Sequence, residues 1–413
     1  MTSEQRREMR YHRRHIRRET KRLEHKAPFD TLDAVTDMNK IRKGARLSRK
    51  GVGKKGSVQK YFVNELRNES ETRKKILRGD DIRDGFIEFD IHERGHARHI
   101  RAMHFRERVI QRCICDYALI PVLSRSLVYD NGASLKGKGI HFAIYRIRDM
   151  LQRYYRKHGN FNGYVWLADF SKYFDNIDHE KVREILDRNF DDDRLKALSW
   201  SFVQAFGNKG IGIGSQVSQI IAVSYPNRAD HWIKEIVRIG ASCRYMDDSM
   251  AISESRERLE ELDAGIRKIW DSLGIVVNEG KTHIIPMKKF TFLKVRYQCL
   301  PSGKVLMKPC RKSFIRIRRH LRKFKRFVNA GEMKMEQVLS AYQSWWGYQK
   351  HFNCHKALRE MDKYFFFLFG VWIEHKKKRK NNTTEGSDYG WLLRQLASAQ
   401  TRRIALPACA LTT

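Results

Sequence analysis

Apolar and polar positions along this chain recur with different periods in different stretches. Over the first sixty residues core-forming positions are sparse, and Arg6, Arg7, Arg10, Arg13, Arg14, Arg17 and Arg18 recur at mixed helical spacing. That pattern predicts a basic helix, followed over 49–55 by a glycine-bearing basic loop. Residues 61–160 alternate basic and apolar positions. Segments 86–91 and 99–103 read as short strands. Segment 105–123 reads as a helix turning Val109, Ile110, Ile114, Tyr117 and Ala118 toward a core. Gly132, Gly137 and Gly139 mark a loop before a second basic helix over 141–157.

Residues 161–300 carry the clearest pattern and the least basic composition. The apolar run 164–168 predicts a strand. Acids and aromatics follow it, then a helix over 179–188. A glycine-rich turn at 207–214 leads into a long helix predicted over 215–238. Next comes a strand, turn and strand: 243–246, then Asp247 and Asp248, then 249–252. A helix over 257–273 and strands at 275–278 and 290–297 complete the stretch. From 301 to 375 the chain turns basic and helical again, 375–388 reads as a polar linker, and 391–398 as one small helix. These shifts divide the chain into a basic extension (1–60), three structured stretches (61–160, 161–300 and 301–375) and a tail (376–413).

Charge narrows the function. The 413 residues carry 83 Lys and Arg against 47 Asp and Glu, a formal net charge of +36. With 41% hydrophobic residues the chain builds a core, so disorder throughout is excluded, and the cationic excess calls for a polyanionic partner. For the N-terminal arginines, phosphate contact outweighs a merely solvated face. No run approaches the roughly 18 apolar residues of a membrane span, and 364–373 is too short and flanked by cations, so no membrane is expected. The Arg-rich start fits no secretory signal. The seven cysteines are scattered with no CxxC, which argues against a disulfide framework or a cysteine zinc site. A cytoplasmic location is the expectation. His92, His96 and His99 lack a fourth ligand at suitable spacing, so no metal role is expected of them.

Asp247 and Asp248 are adjacent carboxylates between two apolar strand fragments. An ordinary turn explains them when they are taken alone. Asp169 changes that, because it ends the apolar run at 164–168. If that strand pairs beside the hairpin, Asp169 and Asp247 converge. Carboxylates at strand ends suit hard, oxygen-seeking cations. Two Mg²⁺ ions held there would activate a 3′-hydroxyl and stabilise a pyrophosphate leaving group.

Arg244-Tyr245-Met246-Asp247-Asp248 resembles the YMDD signature of reverse transcriptases. Asp169-Phe170-Ser171-Lys172-Tyr173-Phe174-Asp175 is similar to their first catalytic-aspartate motif, and 212–219 (GIGSQVSQ) to their glycine-rich template-and-nucleotide motif. The motifs stand in the family's order, and the resemblance covers roughly 85–350. It implies an α+β fold of right-hand polymerase architecture. Fingers would occupy 61–160, and a palm with a four-stranded antiparallel sheet 161–300, with returning fingers elements. A helical thumb would follow over 301–375. The ending Ser218-Gln219, where group II intron and retron enzymes usually carry Ser-Pro-Leu, is similar to diversity-generating retroelement enzymes. The stretch from Arg98 to Gln111 resembles their fingers motif, and Ser344-Trp345-Trp346-Gly347 with His351 a piece of their thumb.

The resemblance implies an RNA-directed DNA polymerase that copies a structured RNA with dNTPs and two Mg²⁺ ions, Mn²⁺ being an alternative. Its partners would be the RNA template, an RNA/DNA primer duplex and an accessory protein subunit. Asp169, Asp247 and Asp248 would be catalytic metal ligands, joined by the backbone carbonyl of Phe170. Asp175 and Asp178 read as helix caps. Phe174 stands where the family excludes a ribose 2′-hydroxyl, with core packing as the alternative. Ile213 replaces a glutamine that touches the nucleotide in retroviral relatives, and implies low fidelity at template adenine. Arg98, Arg101, Gly214 and Gln219 fall at nucleotide-binding positions. Lys281 is either a general acid toward pyrophosphate or a solvated loop lysine. Lys294 stands where the family's primer grip usually carries glycine. Arg316, Arg319, Arg322, Lys323 and Arg326 would track the duplex backbone, since solvation alone leaves so many like charges repelling each other. Trp345 and Trp346 are expected in a thumb core. The competing readings are an antiphage-defence reverse transcriptase and, more distantly, an RNA-binding protein without catalysis.

Overall fold

In the computed structural model of the protein, residues 1–93 and 96–373 are described, residues 92, 93 and 96–98 by their backbone alone. The linker and small helix expected beyond 374 lie outside the described residues. Two compact units are present. Among the described residues, one spans Met1–His158 and Asn162–Met287, and the other Gly159–Phe161 with 288–373.

The first unit opens with α1 (Ser3–Lys26), the arginine helix, which a Thr2/Gln5 capping box starts. α2 (Leu32–Thr36), α3 (Met38–Ser48), α4 (Gly56–Val63) and α5 (Glu65–Arg78) follow. These four helices were not legible in the sequence because cations surround the few core positions, such as Ile41, Val58 and Ile76. β1 (Phe86–Glu93) and β2 (His96–Met103) form an antiparallel hairpin, Phe86 opposite Met103. α6 (Phe105–Ile114) packs on α3 closely enough that a side chain at Gly44 would meet the Cys113 sulfur at 2.8 Å. The predicted helix 105–123 is continuous, but passes through a π-turn (Cys115–Leu119) before α7 (Ile120–Leu123). Pro121 accounts for the irregularity, because it lacks the N–H of a regular turn. α8 (Ile140–His158) matches the predicted second basic helix.

β3 (Tyr164–Ala168) is buried from Val165 onward and does not alternate, so both faces of the sheet are covered there. α9 (Tyr173–Asn176), α10 (His179–Asn189), α11 (Asp193–Gln204), α12 (Gln216–Ser224) and α13 (Asn227–His231) follow. Asp178 caps α10 by accepting from the Glu180 N–H, as its sequence position suggested. α11 was missed. The single helix expected over 215–238 is instead α12, a break at Pro226, α13 and a π-turn at Trp232–Ile236. β4 (Ser242–Tyr245) and β5 (Asp248–Ser253) make the hairpin, then come α14 (Arg256–Ser272) and β6 (His283–Pro286). The four strands form one antiparallel sheet in the order β4-β5-β3-β6. Trp166 of β3 stacks on Trp270 of α14 at 5.8 Å, and its indole N–H donates to Asp263 at 2.7 Å, which fixes α14 across one sheet face. The strand expected at 275–278 is reduced to a single bridge, Phe170 with Val277.

In the second unit, the strand expected over 290–297 is a hairpin of β7 (Lys289–Phe292) and β8 (Val295–Cys299), with β9 (Val305–Pro309) completing a three-stranded sheet. Leu293 and Lys294 form the two-residue turn with φ of 48° and 63°, both left-handed, so Lys294 adopts the backbone that glycine would favour there. β9 also corrects the wholly helical reading of 301–375. The rest is helical: α15 (Arg311–Asn329), α16 (Met335–Gln349) and α17 (His355–Phe369) enclose Leu321, Tyr342 and Phe365. Trp345 and Trp346 pack against that cluster.

Candidate active site

The site forms where β3 ends beside the β4–β5 hairpin. Ala168 pairs with Ser249 and Tyr245 with Asp248, so Asp169 leaves β3 next to the turn carrying the two other aspartates. Met246 and Asp247 make that turn, and Asp248 begins β5, one residue earlier than the sequence suggested. Met246 holds a left-handed φ of 57°, uncommon for a side-chain-bearing residue.

Arg244 supports this turn from beneath. Its guanidinium is 3% exposed and makes a bidentate pair with Asp230 of α13 (2.9 and 2.7 Å). It also donates to the Met246 carbonyl at 3.0 Å and the Val223 carbonyl at 2.7 Å. A buried guanidinium needs partners for most of its donors, and these tie the turn to α12 and α13. Below it, Asp130 accepts from Arg146 at 2.7 Å and Lys234 at 2.8 Å, and its carbonyl accepts from the Arg244 N–H. Asp230, Asp130 and Lys234 were not singled out in the sequence. The i,i+4 spacing of Asp230 and Lys234 in a predicted helix suggests a pair with each other, whereas Asp230 takes Arg244 and Lys234 takes Asp130.

Asp169 is 7% exposed and clamped by the segment after α14. The Asn278 backbone N–H donates to the Asp169 carbonyl at 2.8 Å, and its side-chain amide donates to Oδ2 at 3.0 Å. Lys281 Nζ lies 2.9 Å from the same Oδ2. That hydrogen bond holds the Lys281 ammonium above the ordinary lysine value. Burial, then the nearby Asp169 carboxylate, raises Asp247. Burial, then Asp247 and Asp169, pushes Asp248 up to about 7. The three carboxylates therefore interact.

A divalent cation fits this donor set. Asp169 already accepts the Lys281 ammonium, and the hairpin turn brings Asp247 and Asp248 as two further oxygen donors to the same strand end. Among the described residues, no three His, Cys, Asp or Glu side chains form a metal cage by themselves. Mg²⁺ does not demand one, because it is commonly held by one or two carboxylates plus substrate phosphates. The Phe170–Val277 bridge runs through the Asp169 and Val276 carbonyls, so it does not engage the Phe170 carbonyl.

The glycine-rich turn packs against the segment that follows β3. Ile211 N–H donates to the Phe174 carbonyl at 2.8 Å, and Gly210 N–H to the Ile177 carbonyl at 2.9 Å. A side chain at Gly212 would lie 1.8 Å from the Phe206 ring, so glycine is required there. Phe174 is half-buried with its ring against Tyr173. Ile213 is 45% exposed, Gly214 has φ 104°, and Gln219 is exposed on α12. Buried Gln111, the last residue of the stretch read as a fingers motif, accepts from Ser215 and from the Gln216 N–H, joining α6 to the start of α12. Arg101 lies over the Phe86 ring at 4.1 Å and pairs with Glu88 at 3.1 Å, so protein groups already engage it. The side chain of Arg98 lies outside the described residues.

In the second unit, Arg316, Arg319, Arg322, Lys323 and Arg326 are all exposed on α15, while Ile317 and Leu321 are buried. Arg322 donates to the Tyr364 hydroxyl at 3.1 Å. Among the described residues, none of these five cations has a carboxylate partner.

Residues 95–297 match the family described as reverse transcriptase (RNA-dependent DNA polymerase). The matched stretch is just under half of the chain and contains Asp169, Asp247 and Asp248. The fold resembles the apo telomerase of Candida tropicalis truncated from its C-terminal domain (13% identity, 59% of this chain and 60% of that one, TM-score 0.43). It also resembles the telomerase of Candida albicans solved with a TWJ fragment of telomeric RNA (14%, 74% and 59%, TM-score 0.44). The chain thus spans about three fifths of those telomerase chains. No curated protein matches the sequence. Among the described residues, no helix is long and apolar enough to cross a membrane.

Proposed function

We propose that the protein copies a structured RNA into cDNA, with the β4-β5-β3-β6 sheet as its palm and α15–α17 as its thumb. The observation that carries the reading is the meeting of Asp169, Asp247 and Asp248 at one end of that sheet, with Lys281 on Asp169. Asp169 and Asp247, with the Phe170 carbonyl, would hold two Mg²⁺ ions, and Asp248 supports them. The ions supply a lowered pKa at the primer 3′-hydroxyl and charge neutralisation at the leaving pyrophosphate. Arg244 keeps the Met246–Asp247 turn in position, so the carboxylates need not reorganise. Lys281, kept protonated by Asp169, donates a proton from Nζ to the leaving pyrophosphate. Phe174 rejects ribonucleotides, and the exposed cations of α15 follow the duplex phosphates. Ile213 cannot make the polar contact of a glutamine, which supports error-prone copying of adenine as in diversity-generating retroelements.

Primer extension tests this reading. With oligo(dT) on poly(rA), Mg²⁺ and dTTP, the protein is expected to extend the primer, and Asp247→Ala/Asp248→Ala to abolish extension. Sequencing products from a mixed RNA should show errors concentrated at template adenine. Extension that survives in the double variant removes the assigned site, and errors spread evenly over the four bases remove the diversity-generating role.

A further inference from the structure

The end of the four-stranded sheet remote from the aspartates carries a second charged recess. Tyr164, at the start of β3, pairs with Ser253, at the end of β5. Asp169 lies five residues along, about 17 Å away at the rise of an extended strand. The recess at the Ser253 end has a volume of about 300 Å³. Ile239 and Ile252 line its apolar part. Arg153 and Lys157 enter from the last turns of α8, Arg238 from the segment before β4, and Arg258 from the first turn of α14.

Cations in the last turn of α8 alone are ordinary, since they complement the helix dipole. Arg238 and Arg258 have no such reason to join them. Arg258 donates to the Val237 and Arg238 carbonyls at 3.0 and 3.4 Å, which fixes the Arg238 backbone. That backbone is left-handed, φ 58°, a sparsely populated state for an arginine and one that clusters at ligand sites. The one carboxylate lining the recess, Glu254, is engaged by His158 at 3.2 Å. Among the described residues, Arg153, Lys157 and Arg238 have no carboxylate partner. Tyr154, stacked on His158 at 4.3 Å, adds an aromatic wall.

We infer that this recess binds a phosphodiester unit of a single-stranded RNA outside the copying site. The phosphate lies among Arg153, Lys157 and Arg238, and a base lies against Tyr154. Converging cations beside an aromatic ring are the pairing that holds single strands without reading their sequence. A recess of this size accommodates about one nucleotide at a time, so the strand passes over it. Binding is read without synthesis, so the inference stands or falls apart from the copying reaction.

The test uses the full chain, saturated first with a poly(rA)·oligo(dT) primer–template. A fluorescent 12-nucleotide RNA is then titrated by anisotropy at several salt concentrations. Arg153→Ala/Lys157→Ala/Arg238→Asn should bind this RNA roughly tenfold or more weakly than the unaltered chain. Its log–log salt slope should be shallower by about 0.7, the value for one lost phosphate contact on a single strand. Extension of the preloaded primer should be unchanged. In the unaltered chain, 4-thiouridine RNA should crosslink within the Tyr154 segment. Equal affinity and slope in the two proteins, or no crosslink there, overturns the inference. Displacement of the RNA by ATP only at concentrations far above those of RNA supports a strand site. Recess binding of ATP with none of RNA assigns it to free nucleotides and overturns the strand.

Discussion

The carboxylate end of the sheet and helix α15 are both built on charge, and they treat it in opposite ways. Around β3–β5 four cations have assigned partners: Arg244 on Asp230, Lys234 and Arg146 on Asp130, Lys281 on Asp169. Asp169 and Arg244 are buried, and the turn is held at an uncommon φ. On α15 the five cations face solvent with no carboxylate beside them among the described residues, and only the apolar stripe through Ile317 and Leu321 is packed. The first arrangement fixes atoms to within a bond length, as metal-assisted transfer demands. The second only has to present a charged surface, because phosphates repeat along a strand and forgive small displacements. Single substitutions should therefore be severe in the sheet and graded on the helix.

The largest effect is expected at Asp247. Asp247→Ala should lower extension rates by at least about a thousandfold while leaving duplex affinity in place. An active Asp247→Ala protein would end the comparison at once.

Arg244 comes next. Arg244→Met leaves Asp230 buried and unpaired, at a cost of about 3–5 kcal/mol in stability. It also frees the Met246 carbonyl, so kcat should fall about 10- to 100-fold, the range for groups that orient metal ligands. Adding Asp230→Asn should restore stability but not rate, and Arg244→Lys should restore part of the rate. If rate and stability recover together, Arg244 is a packing residue only.

Asp248 gives a signed pH dependence in Mg²⁺-free buffer. Its carboxyl is raised to about 7 in the folded chain, against about 4 when unfolded. Folding therefore favours the protonated form, so its contribution is full below pH about 4 and lost as pH rises through 7. Asp248→Asn should melt with the unaltered chain at pH 4 and above it at pH 8, with Mg²⁺ narrowing the gap. A melting difference constant with pH would show that Asp248 does not carry the effect.

Smaller, selective effects are expected where the glycine-rich turn meets the Phe174 segment. Phe174→Ala should admit ribonucleotides, and Ile213→Gln should reduce errors at template adenine with little change in total synthesis. Unchanged discrimination or error rates would return these side chains to packing roles. Smallest of all, Arg316→Ala or Arg326→Ala should weaken duplex binding modestly and lower the salt slope by about 0.9 each. A collapse of binding from either one would show that α15 depends on specific contacts after all.

Legibility in the sequence follows the same division. Where one period governs a stretch, the elements were readable: β3 as an unbroken apolar run, α8 and α10 from their spacing, and the β4–β5 hairpin from its flanking strands. The reading failed where irregular backbone interrupts a pattern. Pro226 splits the helix expected over 215–238, and a two-residue turn at Leu293 and Lys294 makes a hairpin of what reads as one strand. It failed also where cations hide the core, as in α2–α5. At the site, the aspartates stood out because carboxylates at strand ends are unusual. Asp230 and Asn278 did not, because a lone polar residue in a helix or loop has no pattern until its partner is placed.

The sequence by itself determined that the chain builds a core, carries a large cationic excess, and places acidic motifs at the ends of apolar strands in a set order. Those are properties of composition and local period, which need no distant contact. Only the tertiary structure decided that Asp169 meets Asp247 and Asp248, that Arg244 is consumed by Asp230 and the Met246 carbonyl, and that Lys281 rests on Asp169. It also brought Arg153, Lys157, Arg238 and Arg258 to one recess at the sheet's other end. Each of these joins segments separated along the chain, and the register of neighbouring strands decides which side chains meet.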